Sequence, residues 1–128
     1  MICIGIESTA HTFACAVIDE KGNILSDVRK VYSTEKGGMI PIEVAKHHEE
    51  IKDNIINEAI EKSKQKRFDL ISYSMSPGLA PCLLVGLNAA KELSRKLKVP
   101  LIGVNHCISH LTSGLLFTKA KNPVFVYC

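Results

Sequence analysis

The stretch MICIGIESTAHTFACAVIDEKGNILSDVRKVY, residues 1–32, decides the fold. From Met1 to Ile6 the residues alternate, with Ile2, Ile4 and Ile6 on one side and small Cys3 and Gly5 on the other. That period of two is what a strand with one buried face imposes. Thr12 to Ile18 predicts a second strand, Asp19-Glu20-Lys21-Gly22-Asn23 carries turn chemistry, and Ile24 to Tyr32 predicts a third. Three strands joined through short turns make an antiparallel hairpin or meander.

Downstream of it, Gly37-Gly38 predicts a loop and Pro41 the opening of a long helix, because a first-turn residue has no use for its N–H. Val44, His48, Ile51, Ile55 and Ala59 recur at three- and four-residue spacing, so the helix should run from Pro41 to Lys64 with that stripe buried. Glu58 and Lys62 are spaced for a helical ion pair, and Lys62, Lys64, Lys66 and Arg67 suit a solvated helix end, with an RNA contact as the alternative role of that run. Asp69 to Met75 predicts a strand, Cys82 to Leu97 a helix with Leu83, Leu84, Leu87, Ala90, Leu93 and Leu97 as its apolar face, and Val99 to Val104 another strand. A third helix should start at Asn105, a good N-cap, and Val124 to Cys128 should begin one more strand. The order βββαβαβα implies a mixed α/β sheet with helices on its faces. The apolar ending Val-Phe-Val-Tyr-Cys reads as the start of a second domain, which puts the first at 1–122 and the opening of the next at 123–128.

Composition narrows the class. The chain has 128 residues, 46% of them hydrophobic and 23% charged, enough for one domain that buries about two-thirds of its unfolded surface. No apolar run reaches the roughly 20 residues of a membrane-spanning helix, since Leu79 to Ala90 is broken by Pro81 and Asn88. Glu7 and His11 interrupt the opening apolar stretch, so no cleavable leader is predicted. A net charge of +3 is too small by itself to imply a nucleic-acid partner. Five cysteines, odd in number and without a CxxC pair, fit free thiols packed as small hydrophobes in a reducing cytoplasm.

Three places have the residue types for chemistry. His106 and His110 are one helical turn apart, the spacing that stacks two imidazoles on one face as ligands to one metal, just past the carboxyl end of a buried strand. Core packing or capping is the competing role for this pair. The position after His106 is Cys107 rather than Glu, so the general base of a His-Glu-x-x-His peptidase is missing. The turn Ser76-Pro77-Gly78-Leu79-Ala80-Pro81 precedes a helix and has no Gly-Lys-Ser/Thr, which leaves an anion cradle or a tight strand-to-helix turn. Glu7-Ser8-Thr9-Ala10-His11 joins the first two strands and offers a carboxylate, hydroxyls and an imidazole at one tip, all compatible with plain turn chemistry too. His47 and His48 are adjacent on a helix and diverge by about 100°, so His48 is expected to be a packed or hydrogen-bonded core residue.

In order along the chain, Gly5-Ile6-Glu7-Ser8-Thr9-Ala10-His11-Thr12, the Gly-Gly loop with Pro41 and His47-His48, Ser76-Pro77-Gly78-Leu79-Ala80-Pro81, and Gly103-Val104-Asn105-His106-Cys107-Ile108-Ser109-His110 closely resemble the N-terminal part of the universal tRNA threonylcarbamoyladenosine transferase family. The Asn-His-Cys-Ile-x-His form is similar to its archaeal and eukaryotic branch, the catalytic subunit of the KEOPS complex. The resemblance implies the first domain of an actin-like ATPase (ribonuclease H-like) fold. It also implies transfer of threonylcarbamoyl from threonylcarbamoyl-AMP to N6 of adenosine 37 in tRNAs reading ANN codons. One divalent ion, iron or zinc, would be held by His106, His110 and Tyr127 together with an aspartate from the C-terminal half. Glu7 and His11 would be catalytic neighbours of that ion, and Tyr127 and Cys128 would open the loop that grips the nucleotide, threonylcarbamoyl-AMP or ATP. Partners implied are tRNA, a small dimerising subunit bound through the helices Pro41–Lys64 and Cys82–Leu97, and a kinase-like subunit, with no membrane.

Two departures stand out: Leu84 replaces a usual arginine and Thr112 a frequent glutamate. The resemblance therefore implies either the N-terminal portion of a true transferase, inactive without its C-terminal half, or a non-catalytic paralogue whose two long helices bind a complex subunit.

Overall fold

The computed structural model describes residues 1–35 and 37–119. The strands are β1 (Ile2–Glu7), β2 (Thr12–Asp19), β3 (Ile24–Val31), β4 (Leu70–Ser76) and β5 (Leu101–Asn105); the helices are α1 (Pro41–Ser63), α2 (Ala80–Leu97) and α3 (His106–Phe117). They form one sheet in the order β3-β2-β1-β4-β5, with β1–β2 and β2–β3 antiparallel and β1–β4 and β4–β5 parallel. The expected βββαβαβα order is the observed one. The strand expected over 124–128, and with it Tyr127, Cys128 and the boundary at 122/123, lies outside the described residues.

Strand alternation sorts the two faces of the sheet. Ile4, Ile6, Phe13, Cys15, Val17 and Ile71 point to the side packed by α1 and α2 and are almost fully buried there. Burial, with Asp27 adding to it, pushes the Cys15 thiol up to about 12, so it packs as an inert apolar group. The opposite parity, Gly5, Glu7, Ala14, Ala16, Ser72 and Ser74, faces α3 and a cleft of about 470 Å³ beneath it.

Local differences from the expected boundaries have simple causes. Helix α2 starts at Ala80, not Cys82, because Pro81 falls in its first turn and needs no N–H there. Helix α1 closes at Ser63, with Lys64 as a left-handed cap (φ 56°). Strand β5 starts two residues late, after Pro100, whose carbonyl accepts from Ile71 N at 2.9 Å. The α1 stripe is largely as read, with Ile56 buried and Ile51 half-buried, and Glu58 pairs with Lys62 at 2.6 Å. The α2 face is as read at Ala90 and Leu93 but rotated towards its start: Cys82, Val85, Gly86 and Ala89 are buried with them, and Leu84 is 57% exposed. Small residues win that face because α2 presses onto the β1–β2 connection. A Cβ on Gly86 would stand 2.1 Å from Ser8 Oγ.

Candidate metal centre

The parallel arrangement sends the carboxyl ends of β1, β4 and β5 to one edge of the sheet, the edge where open α/β sheets place their sites. Glu7 ends β1, Ser74 sits near the end of β4, and His106 follows β5 directly. Register makes the first two meet: Gly5 pairs with Ser72 and Ile6 with Tyr73, so the next step puts Glu7 beside Ser74 on the α3 face. Asn105 starts α3 by accepting hydrogen bonds at its side-chain oxygen from Cys107 N (3.0 Å) and Ile108 N (3.2 Å). This cap fixes the helix register and so the direction of His106 and His110.

The two imidazoles converge. His106 Nε2 and His110 Nε2 are 3.0 Å apart, with the rings edge-on at a centroid separation of 4.4 Å. Two imidazole nitrogens bound at the usual 2.0–2.1 Å to one ion stand about 2.9–3.4 Å apart for octahedral to tetrahedral angles. The separation therefore fits a shared metal, and in a metal-free state it fits an N–H···N hydrogen bond. His110 is exposed and His106 half-buried.

Among the described residues Glu7 accepts four hydrogen bonds: from Ser74 Oγ, from Thr9 Oγ1, from Thr9 N at 2.7 Å and from His106 Nδ1 at 3.2 Å. Burial opposes its ionisation, but the Ser74 and Thr9 hydrogen bonds, aided by the His106 ring, outweigh burial and hold the carboxyl below its ordinary value. His11 is exposed on the same connection, and its electrostatic influence falls on His48. The turn after β4 turns out to brace this connection: Leu79 N donates to Thr9 O at 2.7 Å, and a Cβ on Gly78 would lie 2.5 Å from that same carbonyl oxygen. Ser74 and Gly86 stand outside the segments the sequence singles out, and Thr9 and Gly78, which lie within them, show their bracing contacts only once the strands are paired. The alternation Ser72-Tyr73-Ser74 was the one available signal for a polar inner face on β4. The cleft beneath α3 touches Glu7, Ser109 and Thr112 but not the two histidines, so it is a neighbour of the histidine pair rather than its enclosure.

His48 is fully buried, stacks edge-on against Phe13 at 5.6 Å, and donates from Nε2 to Ala10 O at 2.8 Å. It is the core residue expected. Its ring is nevertheless close to His47, Nδ1 to Nδ1 3.5 Å, because both side chains lean inward from neighbouring helix positions. Burial lowers the His48 pKa from 6.5 and outweighs the opposing hydrogen bond to Ala10. The folded state thus binds the proton less readily than the unfolded chain does. Stability is full above about pH 6.5 and falls as the pH drops below it towards the depressed folded value. Urea unfolding at pH 7.5 and 5.5 should show that loss, and a smaller loss in His48→Gln.

Comparison with known proteins identifies the family. The family model TsaD, tRNA N6-adenosine threonylcarbamoyltransferase, matches residues 23–128. The chain belongs to this family. A probable bifunctional tRNA threonylcarbamoyladenosine biosynthesis protein of Thermoplasma acidophilum is 43% identical over 129 residues, spanning 99% of this chain and 24% of that protein. The tRNA N6-adenosine threonylcarbamoyltransferase of Thermofilum pendens is 40% identical over 126 residues, spanning 97% of this chain and 38% of that one. This TsaD-family chain therefore spans about a quarter to two-fifths of the length of these curated relatives. In fold it is similar to YeaZ from Pseudomonas aeruginosa, with a TM-score of 0.69 at 12% identity over 88% of this chain and 47% of that one. The fold class is the expected one, a mixed α/β sheet of actin-like, ribonuclease H-like type. No described helix is long and apolar enough to cross a membrane.

Proposed function

We propose that this TsaD-family chain supplies the N-terminal, metal-binding part of a tRNA N6-adenosine threonylcarbamoyltransferase and transfers nothing by itself. The full reaction moves threonylcarbamoyl from threonylcarbamoyl-AMP to N6 of adenosine 37 in tRNAs reading ANN codons. The observation that carries this reading is the 3.0 Å convergence of His106 Nε2 and His110 Nε2 at the carboxyl edge of the parallel strands. These two residues would hold iron or zinc, with Tyr127 and an aspartate from a C-terminal half completing the set. Bound there, such an ion supplies Lewis-acid polarisation of an acyl carbonyl. The chain's own contribution is placement: the Asn105 cap aims the two imidazoles, and the braced Ser8–Ala10 connection keeps the floor beside them rigid. Two ligands on one half of a cleft leave an ion open to water, which is why activity needs the other half. Within a KEOPS-like assembly in the cytoplasm, tRNA and a kinase-like subunit would be recruited by the whole complex.

Elemental analysis and metal titration of the chain and of its His106→Ala/His110→Ala variant test this. Stoichiometric iron or zinc in the first and its loss in the second is the expected result; equal binding by both removes the histidine site. A second reading, a scaffold half, is favoured by one observation: Ile40 (58% exposed), Ile42 (74%) and Leu84 (57%) leave apolar surface uncovered at the α1 and α2 starts, which lie side by side. Binding of a small dimerising subunit that the histidine substitutions do not alter would support it.

A further inference from the structure

We propose that Glu7 is a positioning residue, which fixes the His106 ring as the Nδ1–H tautomer and so presents the Nε2 lone pair to the point where His110 converges. This deepens, and rests on, the reading of His106 and His110 as ligands. An ionised carboxylate only accepts, so the 3.2 Å contact between Glu7 Oε2 and His106 Nδ1 requires the proton on Nδ1. Neutral imidazole carries a single N–H, which leaves Nε2 bare and aimed at His110, 3.0 Å away. Metal-binding histidines almost always donate their second nitrogen to a carboxylate, carbonyl or water in this way.

The surroundings of Glu7 separate positioning from acid–base work. A carboxylate has about four lone-pair sites, and the Ser74 hydroxyl, the Thr9 hydroxyl, the Thr9 N–H and His106 Nδ1–H supply four donors. No acceptor site is left over to take a proton from a substrate. The arrangement is also rigid. Ser74 comes from the neighbouring parallel strand, and Thr9 is clamped through its carbonyl by Leu79 N and by the close approach of Gly78. Glutamine cannot reproduce this set, since its amide nitrogen would face either Thr9 N–H or His106 Nδ1–H, both donors.

Two measurements on the full 128-residue chain test the proposal. In metal-free protein, long-range ¹H–¹⁵N spectra of the imidazoles report the tautomer. His106 should be Nδ1-protonated in the parent and shift towards Nε2 protonation in Glu7→Ala, with Glu7→Gln between them and the amide fingerprint retained. Titration with Co²⁺, competed by Zn²⁺, should show affinity weakened about 10- to 100-fold in both Glu7 variants. An unchanged His106 tautomer in the folded Glu7 variants, or Co²⁺ affinity within about twofold of the parent, overturns the proposal. Failure of the underlying metal reading looks different: His106→Ala/His110→Ala would bind Co²⁺ like the parent, or neither would bind, while the tautomer spectra still decide the role of Glu7. If Glu7→Ala does not fold, the volume-matched Glu7→Gln carries both readouts.

Discussion

Replacing Gly78 by alanine is expected to destabilise the chain by about 2–3 kcal/mol, the upper end of the usual cost of overpacking. The added Cβ would lie 2.5 Å from Thr9 O, 2.8 Å from Thr9 Cβ and 2.9 Å from Thr9 Cα. These are mostly backbone and branch-point atoms, so no side-chain rotation relieves them. One way out is to move the β1–β2 connection, and that breaks the Leu79 N to Thr9 O hydrogen bond and displaces the Thr9 donors from Glu7. Stability by urea denaturation and Co²⁺ affinity should therefore fall together. Loss of stability with unchanged affinity would show that the connection can shift without disturbing the histidine pair.

Phe13→Ala should cost more, about 3–5 kcal/mol, the range for emptying a buried aromatic position. Phe13 has no exposed surface, lies in the cluster with Ile4, Val17 and Ile71, and meets the His48 ring edge-on at 5.6 Å. A domain of this size has a net stability of order 5–15 kcal/mol, so a loss of this size takes a large share of it and should lower the melting temperature by about 10 °C or more. Phe13→Leu keeps most of the apolar volume and should lose less. Thermal unfolding monitored by circular dichroism checks both. Because His48 holds Ala10, the same cavity should loosen the connection that carries Thr9, and hydrogen exchange at Thr9 to His11 should rise before the rest of the sheet.

Much of the fold was legible because it is written in periodicity. The alternation of Ile2, Ile4 and Ile6 and the three- and four-residue stripe of α1 each report which side of an element is buried, and both held in the structure. The α2 stripe held only in part: Ala90 and Leu93 are buried as read, whereas Leu84 is exposed and close approach of α2 to Ser8 put Gly86 on the buried face. Residue size at a contact depends on interaxial distance, and that distance is not a property of the helix sequence.

The site divides along the same line. The i, i+4 spacing of His106 and His110 and the capping residue Asn105 are local, so the sequence by itself determined that the two imidazoles share a face at a helix start. It also determined the strand and helix order and, through the order of its motifs, the family. Only the tertiary structure decided that Glu7 stands against His106, since they are 99 residues apart and meet through the parallel pairing of β1, β4 and β5. It likewise decided that Ser74 and Thr9 fill the remaining acceptor sites of that carboxylate, and that Gly78 and Gly86 are small because the β1–β2 connection passes against them. Spacing within an element is fixed by covalent geometry, whereas contacts between elements are fixed by sheet register and packing distance, which no single segment encodes.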